Sequence, residues 1–143
     1  MTNLSLDQAV KITEAALEKG RTDAMRPLTV AVLDAGGHLV AFMRQDESGI
    51  LRPEIAMGKA YGALGFGLGS RELREKNPQF LASVAAASGG KMVPVPGGVL
   101  VRDPETGAIL GAVGISGDVS DNDEAAASAG IEAAGLKADA GNG

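Results

Sequence analysis

The sequence predicts an α+β domain in which helices pack against a single antiparallel sheet. Two hairpin patterns, over residues 28–44 and 99–116, are separated by helical patterns and flanked by further helical patterns. A hairpin joins antiparallel strands, and the apolar face of a sheet must be covered by another layer. The predicted order is α-β-β-α-α-β-β-α, in one domain over residues 1–137 with a flexible tail over 138–143.

The first helix and the first hairpin carry the clearest local signals. Ser5 and Gln8 form a capping-box pattern, and apolar residues then recur at helical spacing over residues 6–19, with Gly20 as the expected stop. The β-branched, apolar run 28–33 predicts a buried strand. The turn 34–37 contains Asp and two glycines, so residues 38–44 are predicted to return as its partner.

The second predicted helix, over residues 52–67, is unusually rich in glycine. Gly58, Gly62 and Gly65 follow one another at spacings of four and three. Each glycine costs a helix about 1 kcal/mol relative to alanine, so the stripe predicts close packing against a backbone, a partner subunit or a flat ligand. The remaining predicted elements are a short turn over 70–76, a helix over 78–87, an extended segment over 93–98, strands over 99–102 and 108–116, and a helix over 121–134.

Composition excludes several classes of function. The net charge of −5 argues against nucleic acid binding, which requires a basic surface. Neither a membrane-spanning run nor a secretory leader is evident, so we expect a cytoplasmic protein that does not bind membranes. With no cysteine and one histidine, no metal site built from protein ligands is predicted.

The end of the last strand is a candidate ligand site. Gly114-Ile115-Ser116-Gly117 places a hydroxyl and backbone N–H groups at one edge of the sheet, where they could hold an anion. Four acids follow between residues 118 and 124 and oppose a phosphate there. The alternative is that the glycines permit helix packing and the acids complement the helix dipole.

Positive charge for such a site would come from Arg44 and Lys59. Lys59 lies in an otherwise apolar, glycine-rich helix, so it either reaches water or occupies a pocket in which burial lowers its pKa. Together the two cations could clamp a carboxylate or donate a proton, and they are the candidate catalytic residues. The alternative is a structural ion pair with Asp46 or Glu54.

The order and spacing of these motifs resemble the GlcG/HbpS family, which includes haem-binding proteins and the C-terminal domain of PduO-type proteins. The resemblance covers nearly the whole chain. It implies a profilin-like fold, assembly into dimers or larger rings, and haem or a related tetrapyrrole as the ligand. The stretches that carry it are residues 32–46, Lys59-Ala60, Pro94 to Gly98, Gly111 to Gly117, and Asp123-Glu124.

Three hypotheses of function follow. The chain is a small-molecule binding protein for haem or a related tetrapyrrole, a cofactor-free enzyme on a small organic acid held by Arg44 and Lys59, or an oligomeric accessory protein without a ligand of its own. For the first, a pocket is expected between the glycine-rich helix, residues 93–98 and the last strand. Its expected ligand-binding residues are Arg44, Lys59, Gly62, Pro96, Gly97, Ser116 and Gly117.

Haem iron requires an axial group such as His, Met or Tyr. The axial candidates are His38, Met57 and Tyr61, none of which lies in a haem-attachment signature. For His38, which follows a Gly-Gly turn, the alternative is a solvated turn residue.

Overall fold

In a computed structural model, which describes residues 2–142, five strands form one antiparallel sheet. The strands are β1 (Thr29–Asp34), β2 (Leu39–Arg44), β3 (Gly98–Arg102), β4 (Ile109–Ser116) and β5 (Lys137–Asp139). The helices are α1 (Leu6–Thr22), α2 (Arg52–Phe66), α3 (Ser70–Leu73), α4 (Pro78–Ala87) and α5 (Ser120–Ala133). The strand order β2-β1-β4-β3-β5 joins the two hairpins where β1 pairs with β4, and the predicted fold class is confirmed.

The sheet separates two layers of helices. Helices α1 and α5 pack on one face, where Ile12 and Ile131 join Val30, Val113 and Ile115 in the larger core. Helix α2 packs on the other face over a smaller core that includes Leu33, Ala60 and Ala112. Alternate side chains of a strand point to opposite faces, so β4 contributes Val113 to one core and Ala112 to the other.

Two glycines of the sheet bring the backbone of α2 directly onto the strands. A side chain at Gly114 would overlap the carbonyl oxygen of Ala56, and one at Gly98 would overlap the carbonyl oxygen of Lys59. Both strand positions therefore have to remain without a Cβ for the helix to lie where it does. This close contact fixes Lys59 against the end of β4.

The glycine stripe of α2 packs against a segment of the same chain. A Cβ at Gly58 would lie 2.6 Å from Cγ2 of Val93, and one at Gly62 would lie 2.9 Å from Cγ of Met92. Gly65, in contrast, has nothing within 4 Å of its Cβ position. Two of the three helix glycines thus serve close packing of residues 92–93 on α2.

Helix α1 extends three residues beyond its predicted end. Gly20 was expected as a stop signal, but it lies inside the helix, where a Cβ would come within 2.7 Å of Cδ1 of Leu28. The glycine therefore makes room for a core side chain instead of ending the helix. Even α1, with its 17 residues, falls short of a membrane span, as does every other helix within residues 2–142.

The sequence also gave no sign of β5, which lies at the start of the predicted tail. Its register pairs Leu100 with Asp139, and Arg102 Nε contacts Asp139 Oδ2 at 2.8 Å. A three-residue strand bearing two charged residues has too little apolar periodicity to be recognised. Gly143, the last residue of that tail, lies outside the described residues.

Candidate functional site

A buried ion pair lies at the end of β4. Lys59 Nζ, on α2, donates to Asp123 Oδ2 of α5 at 3.1 Å and to the carbonyl oxygen of Ile115 at 2.8 Å. The side chains of Lys59 and Asp123 are 2% and 1% exposed. The other carboxylate oxygen, Asp123 Oδ1, accepts the backbone N–H of Asp118 at 2.9 Å. Both charges are therefore compensated inside the protein, as burial requires.

Burial shifts both members of this pair towards their neutral forms. Desolvation lowers the pKa of Lys59 below its usual value of 10.5, and the attraction of Asp123 only partly opposes this. Desolvation likewise raises the pKa of Asp123, against the attraction of Lys59 and the N–H of Asp118. The pair is hydrogen-bonded within the protein, and each charge depends on the other.

Arg52 is a second cation close to the pair. Its Nη1 donates to Ser116 Oγ at 3.0 Å, and Ser116 is fully buried. After the larger effect of burial and the opposing pull of Asp123, the positive field of Arg52 further lowers the pKa of Lys59. Ser116 was predicted to bind a ligand together with Arg44 and Lys59, but the arginine that hydrogen-bonds to it is Arg52.

Arg44 reaches the same edge of the sheet from β2. Its Nη1 donates to the carbonyl oxygen of Ser48 at 2.7 Å, and Ser48 Oγ shares a 2.8 Å hydrogen bond with Thr29 Oγ1. Thr29 pairs with Arg44 on one side and with Ser116 on the other, so all three side chains share one face. Arg44 is exposed and binds Ser48, whereas Lys59 is buried and binds Ile115 and Asp123, so the two cations share no hydrogen-bond partner.

The space expected to form a pocket around Lys59 is filled by the protein itself. A Cβ at Gly97 would lie 2.7 Å from Lys59 Nζ, and Pro96 beside it is buried. Gly117 is packed against the backbone of Pro27, and a side chain there would overlap the carbonyl oxygen. Gly62 lies under Met92, as described above. The structure thus packs Lys59 with Gly97 and Ser116 in the core. The clamp of Arg44 and Lys59 on an organic acid stays a prediction.

An apolar groove lies on the α2 face, near the turn between β1 and β2. It encloses about 260 Å³ between Leu33 and Leu39 of the hairpin, Met57 and Tyr61 of α2, and the loop 89–91. Its surface is mostly apolar, with Glu54 and Lys91 as its charged residues. Two of the three axial candidates, Met57 and Tyr61, therefore line a single groove.

Tyr61 is held in this groove by two contacts. Its ring packs on the turn, where a Cβ at Gly37 would lie 2.9 Å from Cε2. Lys91 Nζ lies 5.4 Å from the ring centroid, within the range of a cation–π contact. A cationic side chain thus stands next to the only tyrosine of the chain.

The third axial candidate, His38, lies beside the groove in the hairpin turn. Its side chain is 79% exposed, and Nδ1 is 3.1 Å from Asp34 Oδ1. Asp34 also accepts the backbone N–H groups of Gly36 and His38, so its carboxylate organises the turn. The geometry agrees with a solvated turn residue whose imidazole is oriented by a carboxylate.

Comparison with protein families places this geometry in a known group. The family described as haem-degrading protein HbpS-like matches residues 4–132, most of the chain. The chain belongs to the HbpS-like family. The comparison with curated protein sequences gives no significant match.

Solved structures similar to this HbpS-like chain share its whole fold. A crystal structure of a PduOC–heme complex is 26% identical with a TM-score of 0.84, over 94% of this chain and 96% of that chain. HbpS is 29% identical with a TM-score of 0.78, over 92% of this chain and 90% of that chain. Protein ORFY of Klebsiella pneumoniae, 23% identical with a TM-score of 0.85 over 94% and 92% of the two chains, shows the fold alone.

Sequence reasoning missed three residues that the geometry of the HbpS-like chain makes important. Asp123 was interpreted as an acid at a helix start and as part of a stretch that carries the family resemblance, Arg52 only as the beginning of α2, and Lys91 was not considered. The separation of Lys59 from Asp123 by 64 residues leaves no local pattern. A lysine in an apolar helix was the available signal, since such a charge requires a partner somewhere in the fold.

Proposed function

We propose that this HbpS-like chain binds haem or a related tetrapyrrole in the groove between α2, the β1–β2 turn and loop 89–91. The observation that carries the proposal is an apolar groove lined by two residues able to ligate iron, Met57 and Tyr61, in a chain of this family. The similarity to a PduOC–heme complex supports the same ligand class.

The walls of the groove fit a flat apolar ring. Leu33, Leu39 and Met57 provide apolar surface, and Gly58 adds a backbone wall without a side chain. At Gly89 and Gly90 nothing lies within 4 Å of a Cβ position, so this rim is open. A planar macrocycle can approach such surfaces closely, and its burial is favoured by the hydrophobic effect.

The polar groups of the groove fit the remaining parts of haem. Tyr61 would hold the iron through its phenol oxygen, and Lys91 would offer an ammonium group to a carboxylate substituent of the ring. When bound, haem supplies an iron centre for redox or dioxygen chemistry. The contribution of the chain itself is to hold the ring, place Tyr61 and exclude water from one face.

The size of the groove implies that a bound macrocycle stays partly uncovered. Its volume of about 260 Å³ lies just below the range of ligand pockets, which span about 300–1,000 Å³. We propose that a second copy of the chain covers the remainder, in keeping with the homo-oligomer expected from the sequence. The exposed apolar side chains of Leu39 and Phe42 on edge strand β2 support this assembly. Sedimentation of the protein with and without haemin tests it, and a monomer under both conditions rules it out.

Haemin titration of the purified chain tests the binding proposal. We expect a Soret band shifted from that of free haemin, saturating near one haemin per chain. Tyr61→Phe should change the position of that band because it removes the phenol oxygen, whereas Met57→Leu should keep it. An unshifted Soret band in the wild type would refute haem binding. A band altered by Met57→Leu and not by Tyr61→Phe would refute the assignment of Tyr61.

A further inference from the structure

We infer that Arg44 and Arg52 form a second ligand site, for a small organic carboxylate, at the end of the sheet opposite the haem groove. The groove contains Leu39 at the start of β2, whereas Arg44 ends that strand. Five residues of extended strand span about 16 Å, which separates Arg44 from Leu39. On α2, Arg52 precedes the groove residue Glu54 by two positions, but neither arginine lines the groove. This inference does not depend on the proposed haem binding.

The first observation is that each of these two guanidinium groups is oriented by a hydrogen bond to a neutral oxygen and not by a salt bridge. Within residues 2–142, neither Arg44 nor Arg52 forms a salt bridge, and each donates one Nη1 hydrogen bond to a neutral oxygen. Arg102, in contrast, meets a carboxylate at 2.8 Å. Arg52 lies in the field of the Asp123 carboxylate, but that carboxylate is already paired with Lys59, so neither arginine has a carboxylate bound to it alone.

The second observation is that both arginines attach to one row of buried hydroxyl residues. The hydroxyl row consists of Ser48, Thr29 and Ser116, which are 5%, 0% and 0% exposed. Arg44 binds the carbonyl of Ser48, Ser48 and Thr29 share a hydrogen bond, and Arg52 binds the hydroxyl of Ser116. Paired residues on neighbouring strands lie about 5 Å apart, so the register places Arg44 and Ser116 about 10 Å apart, on either side of Thr29. Arg52 reaches the same row through Ser116.

The chemistry of the row favours a carboxylate. Each guanidinium has used one N–H on the protein and keeps others for the planar, two-oxygen edge that arginine recognises best. A monoanionic carboxylate is repelled by the acidic chain less than a phosphate, which carries more charge at neutral pH. This site differs from the predicted clamp of Arg44 and Lys59 in that Arg52 takes the place of Lys59, whose ammonium group is already paired with Asp123.

Nuclear magnetic resonance titration of the full-length, ¹⁵N-labelled chain tests this site. Pyruvate, lactate and inorganic phosphate are added separately, with sodium chloride at matched ionic strength. We expect pyruvate or lactate to shift the Nε–H signals of Arg44 and Arg52 and the amide of Ser116, saturably and in the millimolar range. Arg52→Gln and Arg44→Gln should each weaken binding at least fivefold. Arg74→Gln, which removes an exposed arginine elsewhere, should leave it unchanged.

The outcomes separate this site from the alternatives. Saturation by phosphate alone would refute the carboxylate class, and equal weakening by Arg74→Gln would reduce the effect to overall charge. Unchanged binding in both Arg44→Gln and Arg52→Gln, or no saturation in the wild type, would overturn the site. Dispersed amide signals confirm folding of each variant, and haemin binding should be the same in all of them.

Discussion

Lys59 and Asp123 form a buried ion pair across 3.1 Å, although their helices cover opposite faces of the sheet. They meet beyond the end of β4, where Lys59 also binds the carbonyl oxygen of Ile115. The pair therefore joins the two layers of helices at one edge of the sheet. Its hydrogen bonds are made to each other and to backbone groups, which makes the pair sensitive to loss of either partner.

Asp123→Asn is expected to destabilise the fold by about 3–5 kcal/mol, because it leaves the buried ammonium of Lys59 without a counter-charge. Urea denaturation followed by circular dichroism measures the change. The matched control is Glu14→Gln, which removes an exposed acid from α1 and should change stability by less than about 0.5 kcal/mol. Equal stability of the two variants would show that the pair contributes little.

The stability of Asp123→Asn should also rise with pH more steeply than that of the wild type between pH 7 and 10. Lys59 has a folded-state pKa below its unfolded value of 10.5, so deprotonation of Lys59 favours the folded state. This contribution to the free energy of unfolding is fully present above pH 10.5 and is lost as the pH falls through the folded-state pKa. Because Asp123→Asn removes the attraction that raises the pKa of Lys59, that pKa falls further in the variant. The folded variant therefore loses more stability at neutral pH than the wild type does. Parallel pH profiles of the two proteins would contradict this account.

Two alanine substitutions of glycine should have opposite effects. Gly114→Ala is expected to destabilise the fold by at least about 1–3 kcal/mol, because the new Cβ overlaps the carbonyl oxygen of Ala56 and pushes α2 off the sheet. Gly65→Ala has open space at its Cβ and should gain up to about 1 kcal/mol of helix stability. Thermal unfolding of both variants measures this, and a stable Gly114→Ala would refute the close packing.

Lys91→Gln should weaken haemin binding by up to about fivefold, as expected for an ionic contact at a partly exposed site. Lys76→Gln is its control, since Lys76 Nζ also lies 5.4 Å from an aromatic centroid, that of Phe66, outside the groove. Haemin titrations at low salt compare the two variants. A loss of affinity no greater in Lys91→Gln than in Lys76→Gln would exclude Lys91 from the site.

Much of the fold could be predicted because its signals are local. The capping box of Ser5 and Gln8 is present as expected, and the turn after Asp34 connects β1 to β2. Gly20 shows where local signals fail, since its lack of a side chain serves contact with Leu28 in the core. A stop signal and a packing requirement look alike in sequence.

Less of the candidate sites could be predicted, because they depend on contacts between distant segments. Lys59 was recognised as unusual, but its partner Asp123 was interpreted from its position in the first turn of a helix. Met57 and Tyr61 were identified by ligand type, whereas the groove between them and Leu39 follows from the way the hairpin folds over α2. The chemical type of a side chain was enough to identify candidate residues, but only the tertiary structure shows which of them lie together.

The most direct test of haem binding in the groove compares haemin titrations of wild type, Leu39→Asp and Met43→Asp. Both substituted residues lie on β2 and are about half exposed, but only Leu39 lines the groove. We expect stoichiometric binding by wild type and Met43→Asp, and at least tenfold weaker binding by Leu39→Asp, since a carboxylate would face the apolar ring. Equal affinities of the two variants, or no shifted Soret band in the wild type, would contradict the account.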